Sequence, residues 1–419
     1  MSQGKKGRRW KLAGAVVILV VLGAGMFAYG AATIILKIPP YGLLRGIQER
    51  LASPEDDLGS LESPLSLANQ AHYDSIMDFL SRRVEAAQAA REGYWARDYS
   101  SLEGYLRSID PYRQAFLALN SVPPECLTRQ VPEPVSSTPV ATMGGVEIEE
   151  LVLAVCQGQL NLTGYLGFPQ DLEAPAPLVI AFYGTWGSPA LAFGLDDEDD
   201  YHHQFALKLA EQGYVVFVPV IMTHKGENTN EFRNQLHHRA LPLGERLVGI
   251  ELGEAISALD YLLTLPEVNR DAVATYGISL GGKMSFYLGA LDTRVEAVVV
   301  SQYLDDLVHK LTSMTYPYAY WRFEESDYAY IPGLLFQFTN VDIASLIVPR
   351  RLFVEAGSQD PRAEVVGDVV EEIRAFYIRL GLPGDWVQME IGKGGHEIFL
   401  DGSLDFLNAW AETLDGGME

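Results

Sequence analysis

Beyond residue 140 the chain alternates between two patterns: short apolar runs rich in Val, Ile, Tyr and Phe, and longer stretches where apolar positions recur every three or four residues. The short runs predict strands buried on both faces, and the recurrences predict the helices that cover them. The runs at 146–155 and 159–168 read as an opening hairpin, and 177–183, 214–220, 273–278, 295–300, 351–356 and 386–391 as six further strands. Helical periodicity falls between and after them, at 204–212, 244–263, 281–291, 364–380 and 400–413. Strands interleaved with helices predict a doubly wound α/β fold, an eight-stranded, mostly parallel sheet with helices on both faces.

Upstream the pattern differs. Residues 12–36 are apolar and carry no charge, and a basic tail at 1–11 holds Lys5, Lys6, Arg8, Arg9 and Lys11. At about 1.5 Å per residue such a run exceeds the roughly 30 Å of a bilayer core. It predicts a single transmembrane anchor with its basic side in the cytoplasm and the remainder of the chain outside. A cleaved secretory signal, with Ala28 and Gly30 near the cut, is the alternative. Apolar residues resume at Ile34, Ile35 and Leu36, which favours the uncleaved anchor.

Residues 37–64, with Pro39, Pro40, Pro54 and Pro64, read as a membrane-proximal linker. Helical spacing then runs from 65 to 119, as in Ile76, Phe79, Leu80 and Val84. Pro123, Pro124, Pro132, Pro134 and Pro139 break it, so 65–140 is a helical preface ending in a linker or wrapped segment. The main domain is expected at 141–419.

Composition narrows the class. The 419 residues are 48% hydrophobic and 11% aromatic, enough for a large core. With 55 acidic against 31 basic residues and a net charge of -24, the chain lacks the clustered cations that nucleic acid requires. The two cysteines, Cys126 and Cys156, show no metal-binding spacing. An exported domain would allow them to join, and two buried thiols are the equal alternative.

Candidate chemistry centres on Gly277-Ile278-Ser279-Leu280-Gly281, which stands where a strand passes directly into a helix. A serine on so tight a turn needs small neighbours and is presented at the carboxyl edge of the sheet. Its hydroxyl becomes nucleophilic only when a histidine, oriented by a carboxylate, removes its proton. Downstream, the 351–356 strand opens into Gly357-Ser358-Gln359-Asp360-Pro361, and the 386–391 strand into Gly392-Lys393-Gly394-Gly395-His396. Ser279 as nucleophile, Asp360 as orienting acid and His396 as base therefore follow one another at three strand ends. The amides of Leu280, and of Thr185 in Tyr183-Gly184-Thr185-Trp186-Gly187, are the expected oxyanion donors.

These residues resemble the α/β-hydrolase superfamily, where His-Gly is usual at the position of Tyr183-Gly184. The contexts of Ser279, Asp360 and His396 look like those of the dienelactone hydrolase and acetyl xylan esterase branch. Tyr330-Ile-Pro-Gly-Leu-Leu, Val341-Asp-Ile-Ala-Ser-Leu-Ile-Val-Pro-Arg and Glu355-Ala-Gly-Ser-Gln-Asp-Pro are similar to bacterial acetyl-xylan-esterase-like hydrolases. Trp95-Ala-Arg-Asp-Tyr-Ser-Ser-Leu-Glu-Gly-Tyr resembles their helical preface. The likeness runs from about Trp95 to the C-terminus. Tyr183 for histidine leaves the backbone donors intact, whereas Arg362-Ala-Glu, where an apolar run is common, bears on substrate fit.

Other features rank lower. An insertion at about 302–349 is rich in aromatics (among them Tyr316, Tyr318, Tyr320, Trp321, Phe323, Tyr328, Tyr330, Phe336 and Phe338), which suits lid packing better than a substrate platform. Asp196 to Asp200 with His202 and His203 reads as a solvated acidic loop rather than a metal site. His224, His237 and His238 read as loop residues, and the Asn161 sequon falls inside a strand. The expectation is a membrane-anchored serine hydrolase acting through an acyl-enzyme on a small-molecule or carbohydrate ester, with no metal or cofactor and no nucleic-acid partner. A serine peptidase of the same fold, and a catalytically silent binding protein on this scaffold, are the alternatives.

Overall fold

The computed structural model describes residues 64–172, 175–197, 200–221, 229–313, 315–320 and 330–415. The anchor expected at 12–36 lies outside them; among the described residues no helix is long and apolar enough to cross a membrane. The chain divides into two compact units, Met1–Met77 and Asp78–Glu419. Of the first, the described residues begin α1 (Pro64–Tyr94). The second contains everything that follows.

Its centre is a nine-stranded sheet in the order β1-β2-β3-β5-β4-β6-β7-β8-β9. The strands are β1 (Glu133–Met143), β2 (Val146–Val155), β3 (Leu160–Pro169), β4 (Ala176–Phe182), β5 (Val215–Pro219), β6 (Val268–Ile278), β7 (Ala297–Ser301), β8 (Arg351–Gly357) and β9 (Val387–Gly392). The first three are antiparallel to their neighbours, and the six from β4 to β9 run parallel. Eight of the nine coincide with the runs read from the sequence.

The ninth corrects that reading. β1 falls in the proline-rich stretch expected to be a linker or wrapped segment, and Pro134 and Pro139 stand within it. Proline cannot donate to a ladder and is confined to edge strands and bulges. β1 is such an edge: it pairs only with β2, through register shifts after Pro134 and after Pro139. Its side chains are almost all exposed, so no hydrophobic alternation marks it.

Helices follow in order: α2 (Leu102–Leu119), α3 (Pro189–Ala192), α4 (Phe205–Glu211), α5 (Thr229–Ala240), α6 (Leu247–Leu262), α7 (Leu280–Leu291), α8 (Leu307–Thr312), α9 (Asn340–Ser345), α10 (Val366–Arg379) and α11 (Asp401–Asp415). They cover both faces of the sheet, as two adjacent residues of β6 show. Thr275 meets Ser285 of α7 at 3.0 Å, and Tyr276 meets Ser403 of α11 at 2.8 Å and the Phe205 ring of α4 at 5.2 Å between centroids. Successive strand side chains point to opposite faces, so α7 lies on one side, with α4 and α11 on the other.

α5 is a second correction. The polar segment carrying His237 and His238 is helical, and His237 is buried; His224 lies outside the described residues. A salt bridge explains how so polar a helix packs: buried Arg233 donates twice to Glu251 of α6, at 2.6 Å each. Pairing of this kind is what lets two charges leave water together.

Within the second unit, α2 packs on the same core. Arg113 of α2 donates to the carbonyls of Ala290 and Leu346, Tyr105 to that of Ser345, and Phe116 sits 4.9 Å from the Tyr287 ring of α7. Cys126 and Cys156 are bonded to each other, tying the turn after α2 to the end of β2.

Candidate active site

Parallel pairing brings the carboxyl ends of β4 and of β6 to β9 to one edge, because Phe182 pairs with Gly277, Ile278 with Ser301, Ser301 with Glu355, and Gly357 with Gly392. Each predicted site residue leaves the sheet there.

Ser279 stands between β6 and α7 with φ 59° and ψ -117°. This is a strained conformation for a residue with a Cβ, held here by its surroundings. Its amide donates to the Ser301 carbonyl at 2.9 Å. The flanking glycines are required by space: a Cβ on Gly277 would lie 2.0 Å from the Gly281 carbonyl oxygen, and one on Gly281 would lie 2.1 Å from that of Phe182. Leu280, as the first residue of α7, has an amide with no carbonyl four residues behind it.

Asp360 and His396 meet. The His396 Nδ1 lies 2.7 Å from Asp360 Oδ2, and the carboxylate is buried while the imidazole is about one-third exposed. Backbone bonds fasten the two loops together, from Ser358 to the Gly392 carbonyl and from Gln359 to that of Gly394, each 2.8 Å. Gly357 allows this approach, since a Cβ there would fall 1.9 Å from the Gly395 oxygen.

The histidine loop also reaches back toward Ser279. Gln302 follows Ser301, the residue whose carbonyl receives the Ser279 amide; its side chain donates to the Glu397 carbonyl at 2.8 Å and accepts from the Gly357 amide at 3.1 Å. One buried amide thus bridges the acid loop and the histidine loop. Nothing in the local sequence marked Gln302.

Arg362, whose sequence context bears on substrate fit, lies against Asp360. Its guanidinium lies 3.1 Å from Asp360 Oδ2 and 4.0 Å from the Tyr318 ring, and its amide donates to Asp360 Oδ1 at 2.9 Å. Burial pushes the Asp360 pKa up, but the His396 hydrogen bond and the Arg362 charge together outweigh it and hold the carboxyl below its ordinary value. Asp360 is therefore ionised.

The aromatic insertion divides. Phe338 and Tyr316 are core residues, the latter donating to Asp305 at 2.8 Å, whereas the Tyr318 hydroxyl lies 3.4 Å from Asp360 Oδ2. Trp321, Phe323 and Tyr328 lie outside the described residues.

The Tyr183–Gly187 loop stands beside the serine turn. A Cβ on Gly184 would be 3.3 Å from the Ile278 carbonyl oxygen, and one on Gly281 would be 2.5 Å from that of Tyr183. Thr185 and Leu280 thus belong to adjoining backbone. The neighbouring acidic segment is not simply solvated: His202 is fully buried, its Nε2 receives the Gly184 amide at 3.0 Å, and its Nδ1 faces Asp200. Among the described residues no cluster of three or more His, Cys, Asp or Glu is arranged to hold a metal.

A mostly parallel sheet covered on both faces, with a strained serine between β6 and α7 and an Asp–His pair at the ends of β8 and β9, is an α/β-hydrolase-like fold. Residues 162–304 match the Dienelactone hydrolase family. The chain is 26% identical over 272 residues to the "Putative hydrolase YtaP" of Bacillus subtilis (strain 168), covering 63% of this chain and 88% of that protein. Among solved structures it is similar to a "putative acetyl xylan esterase" from Bacteroides fragilis NCTC 9343, with TM-score 0.59, 18% identity and coverage of 77% of this chain and 88% of the other. A CE15 glucuronoyl esterase from Teredinibacter turnerae T7901 gives TM-score 0.53, 14% identity and coverage of 74% and 86%. At these identities the structural likeness is one of fold.

Proposed function

We propose that this protein is a membrane-anchored serine esterase. Ser279 is the nucleophile, His396 the general base and Asp360 the acid that orients it. The observation that carries the reading is the 2.7 Å contact of His396 Nδ1 with an ionised, buried Asp360. A carboxylate can only accept at that contact, so Nδ1 carries the proton and Nε2 keeps its lone pair for the serine. His396 takes the Ser279 proton as Oγ attacks the ester carbonyl. The oxyanion is met by the amides of Leu280 and Thr185, and the alkoxide leaves with the proton from His396. Water, activated by the same imidazole, then releases the acid from Ser279.

Similar folds that bear the names acetyl xylan esterase and glucuronoyl esterase favour an ester, with carbohydrate esters the leading class. The basic tail and the apolar run at 12–36 support an anchor with the hydrolase unit outside the cytoplasm. The Cys126–Cys156 bond agrees with an oxidising location.

The test uses the full-length chain in detergent, with a short-chain aryl ester and a fluorescent serine-directed phosphonate. Ser279→Ala should lower hydrolysis by at least about 10³-fold and abolish labelling. Label that persists in this variant would overturn the assignment, and a wild-type chain that neither hydrolyses nor labels would leave the silent scaffold as the better reading.

A further inference from the structure

We propose that Tyr201 and His202 are positioning residues that clamp the Gly184–Thr185 peptide and so aim the Thr185 amide at the oxyanion. This deepens the esterase reading and rests on it.

The peptide unit joining Gly184 to Thr185 is planar and trans, so its N–H and C=O point in opposite directions. Whatever fixes the carbonyl and the flanking groups also fixes the amide. Three hydrogen bonds do so. The Gly184 amide donates to His202 Nε2 at 3.0 Å, the Gly184 carbonyl accepts from the Gly187 amide at 3.0 Å, and the Thr185 carbonyl accepts from the Tyr201 hydroxyl at 2.6 Å. None of the three uses the Thr185 N–H itself.

His202 can play this part only as a neutral ring with its proton on Nδ1. A backbone N–H donates, so Nε2 must be the unprotonated nitrogen, and Nδ1–H faces the Asp200 carboxylate. Burial lowers the pKa of His202 against the opposing pull of Asp200, which keeps the ring neutral. Burial also raises the Tyr201 pKa, so its hydroxyl remains a donor. Space is committed to the clamp as well: a Cβ on Gly187 would fall 2.8 Å from His202 Nε2, so only glycine lets the ring in.

The clamp lies beside both reactive groups. Gly184 abuts the carbonyl of Ile278, the residue before Ser279, and the Tyr201 ring is 3.9 Å from that of His202 and 6.5 Å from that of His396. The same segment holds the base loop, since the Tyr201 carbonyl accepts from the Ile398 amide at 3.1 Å and His203 Nε2 lies 2.9 Å from Glu397 Oε2. A donor kept in place before reaction needs no reorganisation as charge develops, which is why such a clamp would act on the transition state rather than on substrate binding.

The experiment compares His202→Phe, His202→Gln and Tyr201→Phe in the full-length chain, with aryl-ester kinetics, melting temperature and amide hydrogen exchange of the segment that contains Gly184 and Thr185. His202→Phe keeps a ring but offers no acceptor, and kcat should fall about a hundredfold with KM changed less than about threefold. His202→Gln places a carbonyl oxygen near Nε2 and should restore at least about tenfold of that loss, which a merely structural role would not predict. Tyr201→Phe should lower kcat in the same sense, and exchange of the segment should quicken in both Phe variants. Unchanged kcat and unchanged exchange in His202→Phe, or equal losses in His202→Phe and His202→Gln, would overturn the clamp. If the wild-type chain proves inactive, the esterase reading fails by itself, and the exchange comparison still decides whether His202 and Tyr201 hold the loop.

Discussion

At the scale of single residues, two buried carboxylates near the candidate site differ in whether a cation stands beside them. Asp360 is held ionised by His396 and Arg362 despite its burial. Glu355, on β8, is as deeply buried but has no cation in its hydrogen-bond set: it accepts from Ser301 Oγ at 2.7 Å and from the Phe399 and Leu400 amides at 3.1 and 3.3 Å. Desolvation prevails over these bonds and pushes its pKa up to about 7. The raised value sets the sign of its linkage to stability: the contribution is fully present below the ordinary carboxylate pKa and is lost as pH rises through about 7. The melting temperature should therefore decline between about pH 5 and pH 8 in the wild type. Glu355→Gln should make that decline shallower, with the remainder left to Glu254, whose pKa burial pushes up to about 8, and a decline of unchanged steepness in the variant would show that Glu355 does not contribute.

At the scale of elements, the loops after β4, β6, β8 and β9 are held by glycines that admit close approaches of backbone or side chains which a Cβ would obstruct. The turn around Ser279 was legible from Gly277, Gly281 and the change from an apolar run to helical spacing, since those residue types are what so tight a turn demands. β1 was not, because an exposed edge strand has no buried face to impose alternation, and its prolines imitate a linker. α5 was not, because its place in the core depends on the Arg233–Glu251 pair, whose members lie 18 residues apart. The disulfide joins two elements that no other covalent link brings together, the turn after α2 and the end of β2, across a sequence separation of 30. Replacing both cysteines by serine should cost about 2–4 kcal/mol, chiefly by releasing the unfolded chain from the closed loop. Denaturant unfolding would measure it, and the esterase rate at low denaturant should change little, because neither cysteine belongs to the loops that carry the proposed site.

At the scale of the molecule, the sequence sets a basic, apolar N-terminus ahead of a chain that is acidic overall. A chain with net charge -24 gains little from an anionic surface, so the proposed membrane attachment is assigned to the run at 12–36. The full-length chain should remain with membranes through alkaline carbonate extraction, and deletion of 1–36 should release it. Retention of the deleted form would remove the anchor from the proposal. Release of the full-length chain at neutral pH would favour a cleaved signal instead.

Pattern and residue type determined the α/β class, eight of the nine strands, and the order of Ser279, Asp360 and His396, because each follows from local rules of periodicity, turn geometry and strand ends. Tertiary structure alone decided the rest. It paired Cys126 with Cys156, turned Arg362 onto Asp360, brought Gln302 between the acid and histidine loops, and set His202 against the Gly184 amide. Among these, Cys126 meets Cys156 across 30 residues, Gln302 meets loops 55 and 95 residues away, and His202 folds back on Gly184 within the connection that follows β4. The contact of Arg362 with Asp360 is local in sequence but depends on the fold having first buried the carboxylate beside it.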